Sequence, residues 1–235
     1  MSDLHPRIAV IIPVLNEEST LPLVLADIPR EVVEEVVVID NGSTDHSIEV
    51  ARLCGATVLN EPRRGYGAAC LAGMTYLQKK APDIVVFLDG DYSDHPDEIS
   101  ALVQPILAGA CDLVIGSRTK GNAEPGALLP QARFGNALAT LLIRWIYGFS
   151  YSDLGPLRAI RFPALLQLGM VDQNYGWTVE MQIKAIQKGL RIAEVPVRYR
   201  KRAGGASKVT GTLKGTILAG YKILWTVFRY TWRAA

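Results

Sequence analysis

The chain has 235 residues, 49% of them apolar and 20% charged, enough to bury one sizeable core and cramped for two full α/β domains. Its three cysteines, Cys54, Cys70 and Cys111, show no paired or Cys-x-x-Cys spacing, which argues against a disulfide framework or a zinc site and fits a reducing compartment. The formal charge of +2 hides an asymmetry: residues 1–183 carry 13 Lys and Arg against 22 Asp and Glu, whereas residues 184–235 carry 12 against the single acid Glu194, so the basic end suits an anionic partner.

In chain order, residues 1–7 are polar and the run Ile8–Val14 is short and contains Pro13. It reads as a buried strand and not as a signal peptide. Two further Val- and Ile-rich runs, 36–39 and 84–88, each end in a polar turn and read as buried parallel strands. Helical stretches separate them: 21–27, 47–53 and 67–79. A helix over 96–108 leads to a fourth strand at 112–116. This alternation predicts an α/β fold with a Rossmann-like, doubly wound, mostly parallel sheet. Ligands of such sheets sit beyond the carboxyl ends of the strands. The second half holds an apolar stretch at 136–149, a helix within 172–189, a strand-like alternation at 191–199, a basic Gly-rich loop at 201–207 and a final helix over 213–232. No stretch of about 20 residues lacks charge, so no transmembrane helix is expected.

Three polar clusters follow the strands. Asp89-Gly90-Asp91 can turn two carboxylates into one pocket, and hard oxygen ligands of this kind suit Mg²⁺ or Mn²⁺ completed by substrate phosphates. Asp and Gly are also common turn formers, and position after a buried strand favours the metal. Residues 12–18 and 40–45 place carboxylate and amide groups where a nucleobase and ribose could bind, or where Ser43 or Thr44 caps the next helix. Asp40 shows no capping duty in the sequence and is expected to contact ligand. Arg63, Arg64, Gly65 and Gly67 open a helix whose N-terminus, with nearby guanidinium groups, could hold an anion or could be a plain helix start.

Together these segments resemble family 2 glycosyltransferases of the GT-A fold, in the dolichyl- and polyprenyl-phosphate hexose synthase branch. The likeness runs from about Ile8 to about Lys208 and rests on PVLNEE at 13–18, DNGSTD at 40–45, RRGYGAA at 63–69, DGDYSDHP at 89–96, GSR at 116–118, YGWTVEMQ at 175–182 and EVPVRYRKRAGGASK at 194–208. It implies a catalytic domain over 1–208; residues 209–235 read, from their own charge pattern, as a C-terminal amphipathic helix. It implies that Pro13, Asn16, Glu17 and Asp40 line the nucleoside pocket, that Arg64 and Gly65 lie near the donor, and that Asp89 and Asp91 hold the metal, with Ser93 where the family often has Gln. Arg118, Arg133 and Arg202 match positions that bind the acceptor's phosphate. Two departures concern Asp40-Asn41, where the family usually shows paired acids, and residues 153–158, where it often shows Ser-Gly-Phe-Arg.

A phosphate acceptor is already an anion at neutral pH. It requires neutralising and positioning, which arginines provide, and a single displacement inverts the anomeric centre. A hydroxyl acceptor would require a base, for which Asp153 and Glu180 are the candidates. In the last helix Lys214, Lys222, Arg229 and Arg233 share an arc of about 100°, beside Leu213, Ile217, Tyr221, Leu224 and Phe228, with Trp225 and Trp232 at the border. This pattern predicts peripheral attachment through 213–232 to the cytoplasmic face of a membrane; packing on the core is the alternative. A non-catalytic binding module is a further alternative, against which Asp89, Asp91 and Arg118 argue. A nucleic-acid partner is not expected, because the acidic first 183 residues would repel phosphates.

Overall fold

The structure, a computed structural model, describes residues 6–204 and 213–231, the last segment with side chains from residue 220 onward. Seven strands form one sheet in the order β3-β2-β1-β4-β6-β5-β7. They are β1 (Ile8–Val14), β2 (Glu35–Asp40), β3 (Thr57–Asn60), β4 (Ile84–Phe87), β5 (Leu113–Ser117), β6 (Arg158–Arg161) and β7 (Ile192–Pro196). All neighbouring pairs are parallel except those of β6, which runs antiparallel between β4 and β5. Mixed α/β architecture with a mostly parallel sheet is therefore as expected, with β3 and β6 as strands that the apolar runs did not announce.

Eight α-helices accompany the strands among the described residues: α1 (Leu21–Asp27), α2 (Ser47–Leu53), α3 (Tyr66–Leu77), α4 (Ile99–Leu107), α5 (Pro130–Tyr147), α6 (Phe162–Leu168), α7 (Trp177–Gln187) and α8 (Leu213–Arg229). The period-2 alternation of β1 divides the core in two. Ile8, Val10 and Ile12 face Leu21 and Val24 of α1, Ala51 of α2 and Leu102 of α4. Ala9 and Ile11 face Cys70 and Met74 of α3, Ile143 of α5 and Trp177 of α7. Helices thus cover both faces, and the strand ends that carry Val14, Asp40 and Asp89 share one edge of the sheet.

Some boundaries differ from the pattern for local reasons. α5 begins at Pro130, whose fixed φ suits a first helical turn, and ends at Gly148 in the left-handed region at φ 71°. The expected capping of α2 by Ser43 or Thr44 gives way to Asp45, which accepts the Ser47 amide at 3.0 Å. Ser43 Oγ instead accepts the Asn16 amide. No helix of the described residues is long and apolar enough to cross a membrane.

α8 packs on α5 and α7, with its Val227 and the following Tyr230 in the core. Its Lys222, expected on the outer basic arc, turns inward to Asp172 at 2.9 Å. Tyr221, Trp225 and Phe228 remain on the outside. Of the other residues of that arc and its apolar neighbour, the side chains of Leu213, Lys214 and Ile217, and Trp232 and Arg233 altogether, lie outside the described residues.

Phe87 of β4 is wholly buried and meets Trp177 of α7 edge-on, with ring centroids 5.8 Å apart. Phe87→Ala is expected to lower stability by about 3–5 kcal/mol, read as a shift of the urea unfolding midpoint with unchanged slope.

Candidate active site

A cavity of about 530 Å³ opens at the carboxyl ends of β1, β2 and β4. Pro13, Glu17, Arg64, Gly65, Asp89, Asp91, Arg118 and Arg202 line it, so eight of the residues singled out in the sequence meet there. A second cavity of about 740 Å³ lies next to it, with Arg118 on the wall common to both. Arg133 lines this second cavity together with Arg144, Asn136 and Thr140 of α5.

Carboxyl groups crowd one another at the first cavity. Burial raises Asp89 to about 7, the charge of Asp91 adds to the rise, and Tyr66, Arg118 and Arg202 oppose it. Asp89 Oδ1 is buried without a hydrogen-bond partner among the described residues. Asp94 is 1% exposed, and both of its carboxylate oxygens also lack partners. Burial, then Asp89 and Asp91, push its carboxyl well above the ordinary range. Such groups are expensive to ionise together unless a cation joins them.

Cationic partners are close and already engaged. Arg202 lies 3.3 Å from Asp91 Oδ2, bonds Glu17 through its other terminal nitrogen, and donates from Nε to the Gly204 carbonyl at 2.7 Å. Arg118 donates to Asp153 from its backbone amide, Nε and Nη2, each at 2.8 Å. Burial works to lower the Arg118 pKa, but the bonds to Asp153 outweigh it and hold the guanidinium above its ordinary value. The ring of Tyr199 lies 5.0 Å from that guanidinium, and burial raises its hydroxyl to about 12. By contrast Arg64 in the first cavity, and Arg133 and Arg144 in the second, form no ion pair among the described residues.

Three expected site residues do something else. Asp40 does not line the cavity: its two oxygens accept the Gly42 and Ser43 amides at 3.0 and 2.9 Å, so it shapes the turn after β2. Asn16, in the left-handed region at φ 54°, accepts the Thr44 amide at 2.7 Å and joins the first two strand-end loops. Ser93 is buried and donates to Asp91 Oδ1 at 2.5 Å, with its amide on the same oxygen at 3.0 Å. It therefore orients Asp91 and does not face the cavity. The N-terminus of α3 is likewise occupied: Ala68 N donates to the Gln173 carbonyl and Gly65 N to Asn41 Oδ1.

Sequence reasoning missed Asn41, Tyr66, Asn174, Tyr175, Thr178 and Tyr199 as lining residues. Asn41 takes the place given to Asp40. It binds the Glu61 and Arg63 carbonyls and the Gly65 amide, which fixes the arginine-bearing loop. The YGWTVEMQ segment was a signal for Tyr175 and Thr178, although only its Glu180 carried an assigned role.

Comparison with known proteins accounts for this arrangement. The model of glycosyl transferase family 2 matches residues 9–169. The chain belongs to that family. An uncharacterized glycosyltransferase of Mycobacterium tuberculosis is 40% identical over 213 residues, 90% of this chain and 94% of its own length. A dolichyl-phosphate hexose transferase of Haloferax volcanii is 34% identical over 201 residues, covering 84% of each chain. The crystal structure of glucosyl-3-phosphoglycerate synthase from Mycobacterium tuberculosis with Mn²⁺, uridine diphosphate and glucosyl-3-phosphoglycerate superimposes with a TM-score of 0.72 at 26% identity, over 95% of this chain and 79% of that one. The GT-A fold expected from the sequence is thereby shared.

The glycosyltransferase's Asp153 is fully buried and serves Arg118 alone among the cavity's arginines. Asp153→Ala is expected to strand that guanidinium and to cost about 3–5 kcal/mol of folding free energy, measured by urea denaturation against the wild-type chain.

Proposed function

We propose that this glycosyltransferase moves a hexose, with inversion, from a nucleoside-diphosphate sugar to a polyprenyl phosphate. The observation that carries the reading is the juxtaposition of an acidic cavity, suited to a cation-bound diphosphate, with a second cavity whose Arg133 and Arg144 have no acidic partner. The dolichyl-phosphate hexose transferase among the relatives supports the acceptor class. The Mn²⁺ and uridine diphosphate of the structural neighbour support the donor and cofactor.

The residues fit a divalent ion on this structure's own terms. Asp89 presents a buried oxygen without a partner, and Asp91 stands beside it on the cavity wall. Asp89 and Asp91 would hold Mg²⁺ or Mn²⁺, and phosphate oxygens and water would complete the shell. When bound, the ion supplies neutralisation of the departing diphosphate. Ser93 orients Asp91 for this duty through one carboxylate oxygen, and Arg202 adds positive charge at the other.

The protein's own groups account for the rest. Arg133 and Arg144 receive the acceptor phosphate, with Arg118 at the boundary between the two cavities. A phosphate oxygen forms the new bond to the anomeric carbon as the bond to the nucleoside diphosphate breaks. The incoming oxygen carries its charge already, so no proton must be removed. Hydroxyl transfer lacks support by comparison. Asp153 is held by three donors of Arg118, and Glu180 is buried beneath the bonds of Asp172, Tyr230 and Lys184. Neither is placed to take a proton from a substrate.

On this reading residues 1–208 form the catalytic domain and α8 belongs to the membrane-facing side. The outward Tyr221, Trp225 and Phe228, with Arg229 4.8 Å over the Trp225 ring, suit the interface of an anionic bilayer. So do Phe134, Leu141 and Trp145 on the outside of α5. Neither helix contains an acidic residue. Peripheral attachment to the cytoplasmic face follows, and a high-salt wash of membranes should release the protein.

The test is incubation with a panel of radiolabelled sugar nucleotides, Mn²⁺ and a polyprenyl phosphate, with label scored in the lipid phase. Label is expected there. Arrival of label only in a soluble acceptor such as a phosphoglycerate, or in a lipid hydroxyl, would overturn the acceptor assignment. Asp91→Ala should reduce transfer by roughly 10³-fold without loss of folding, and Arg133→Ala should raise the acceptor KM by about tenfold or more.

Ion removal gives a second expectation. Asp89→Asn takes one charge from a crowded buried pair, so the ion-free variant should melt higher than the wild type. The stabilisation that Mn²⁺ and nucleotide confer on the wild type should vanish in the same variant. Differential scanning calorimetry with and without chelator reads both.

A further inference from the structure

Donor-cavity residues Asn174 and Tyr175 lie on the segment that precedes α7. That segment is gripped from two sides. On one side stands the start of α3. A Cβ added to Gly65 would fall 2.1 Å from the Gln173 carbonyl oxygen, and one added to Gly67 would fall 2.1 Å from that of Asp172. Backbone therefore lies directly on backbone there, and Ala68 N closes the contact with a bond to the Gln173 carbonyl. Tyr66, between the two glycines, lines the cavity beside Asp89.

On the other side stands α8. Asp172 Oδ2 pairs with Lys222 at 2.9 Å, while Asp172 Oδ1 accepts the Asn174 amide at 2.8 Å. Glu180, wholly buried, accepts the Asp172 amide at 2.7 Å and the Tyr230 hydroxyl at 2.6 Å. A Cβ on Gly176 would meet Asp172 Oδ2 and Thr226 Oγ1 at 2.5 Å each, so this side too is in direct contact. The Asp172 side chain is 3% exposed. Without the Lys222 ammonium it would be a buried carboxylate with no counter-charge, and it would have to leave its place and release Asn174.

We propose that α8 and the residue after it position the donor site, with Lys222 and Tyr230 acting as positioning residues, through Asp172 and Glu180, on the segment that brings Asn174 and Tyr175 to the cavity wall. The helix that presents Trp225 and Phe228 outward thus holds, through its inner face, the wall against which the nucleotide binds. The inference rests on reading the first cavity as the nucleotide-sugar site.

The experiment uses the full chain. Calorimetric titration with uridine and guanosine diphosphate in the presence of Mn²⁺ gives nucleotide affinity, and hydrogen exchange reports the Asp172 and Asn174 amides. Lys222→Met and Tyr230→Phe are each expected to weaken nucleotide binding by about tenfold, the scale of one charged hydrogen bond, to raise the donor KM more than they lower kcat, and to speed exchange of those amides. Lys222→Arg should restore affinity, and Tyr221→Ser on the outer face should leave it unchanged. Variants that melt lower yet bind nucleotide as the wild type does would overturn the inference, as would unchanged exchange at 172–174. A wild-type chain that binds no nucleotide would instead sink the donor-site reading itself.

Discussion

Repulsion among carboxylates at the end of β4 is the constraint around which the rest of this site is arranged. Asp89, Asp91 and Asp94 follow a strand buried on both faces, and Asp94 lies behind the cavity at 1% exposure, where water screens it least. The protein answers with cations of two kinds. Arg202 comes from the far end of the chain to meet Asp91 and Glu17, and Arg118 lies close enough to lower both Asp89 and Asp94. Neither fully compensates the cluster, because Arg118 is committed to Asp153 and Asp89 Oδ1 stays without a partner. The carboxylates left uncompensated are what supports the divalent ion proposed above.

The difference between engaged and unengaged guanidinium groups sorts the arginines more sharply than their number does. Arg158 is wholly buried and bonded to the Leu154, Gly155 and Thr178 carbonyls, so it braces the turn before β6 from within. Arg118 and Arg202 are ion-paired and set the shape of the cavity. Arg64, Arg133 and Arg144 line the cavities without an ion pair among the described residues. An arginine whose donors are free gains most when an anion arrives, because no internal bond has to be broken first.

The strands most sharply legible in the sequence were those whose environment is uniform, although the half-exposed edge strand β7 was also read, from its alternation. β1, β2 and β4 lie in the middle of the sheet, covered on both faces, and read as unbroken apolar runs. β6 sits just as centrally but begins and ends in arginine, and it enters antiparallel from a distant part of the chain. Nothing local announces such an insertion. β3 is a four-residue edge strand ending in Asn60, too short for a periodic signal. The carboxylates divide in the same way. Asp89 and Asp91 were identified correctly as cavity residues because strand-end position is enough to aim them. Asp40 stands at an equally good strand end, yet the two amides that claim it lie within three residues. A turn that closes on its own side chain and a pocket that receives one have the same sequence. Asn41 and Tyr199, by contrast, reach the cavity through contacts with residues far along the chain.

The helical wheel of α8 shows why amphipathicity alone misjudged one residue. Lys222 shares an arc with Arg229, and the wheel gives both the same environment. The partner that separates them, Asp172, lies 50 residues earlier and cannot appear on any wheel. With that ion pair, the helix has two faces with different duties. Tyr221, Trp225 and Phe228 look outward, while Lys222, Thr226 and Tyr230 grip the segment that walls the cavity. Whatever settles on the outer face then bears on a helix that is bonded, through two buried carboxylates, to the segment walling the proposed donor cavity.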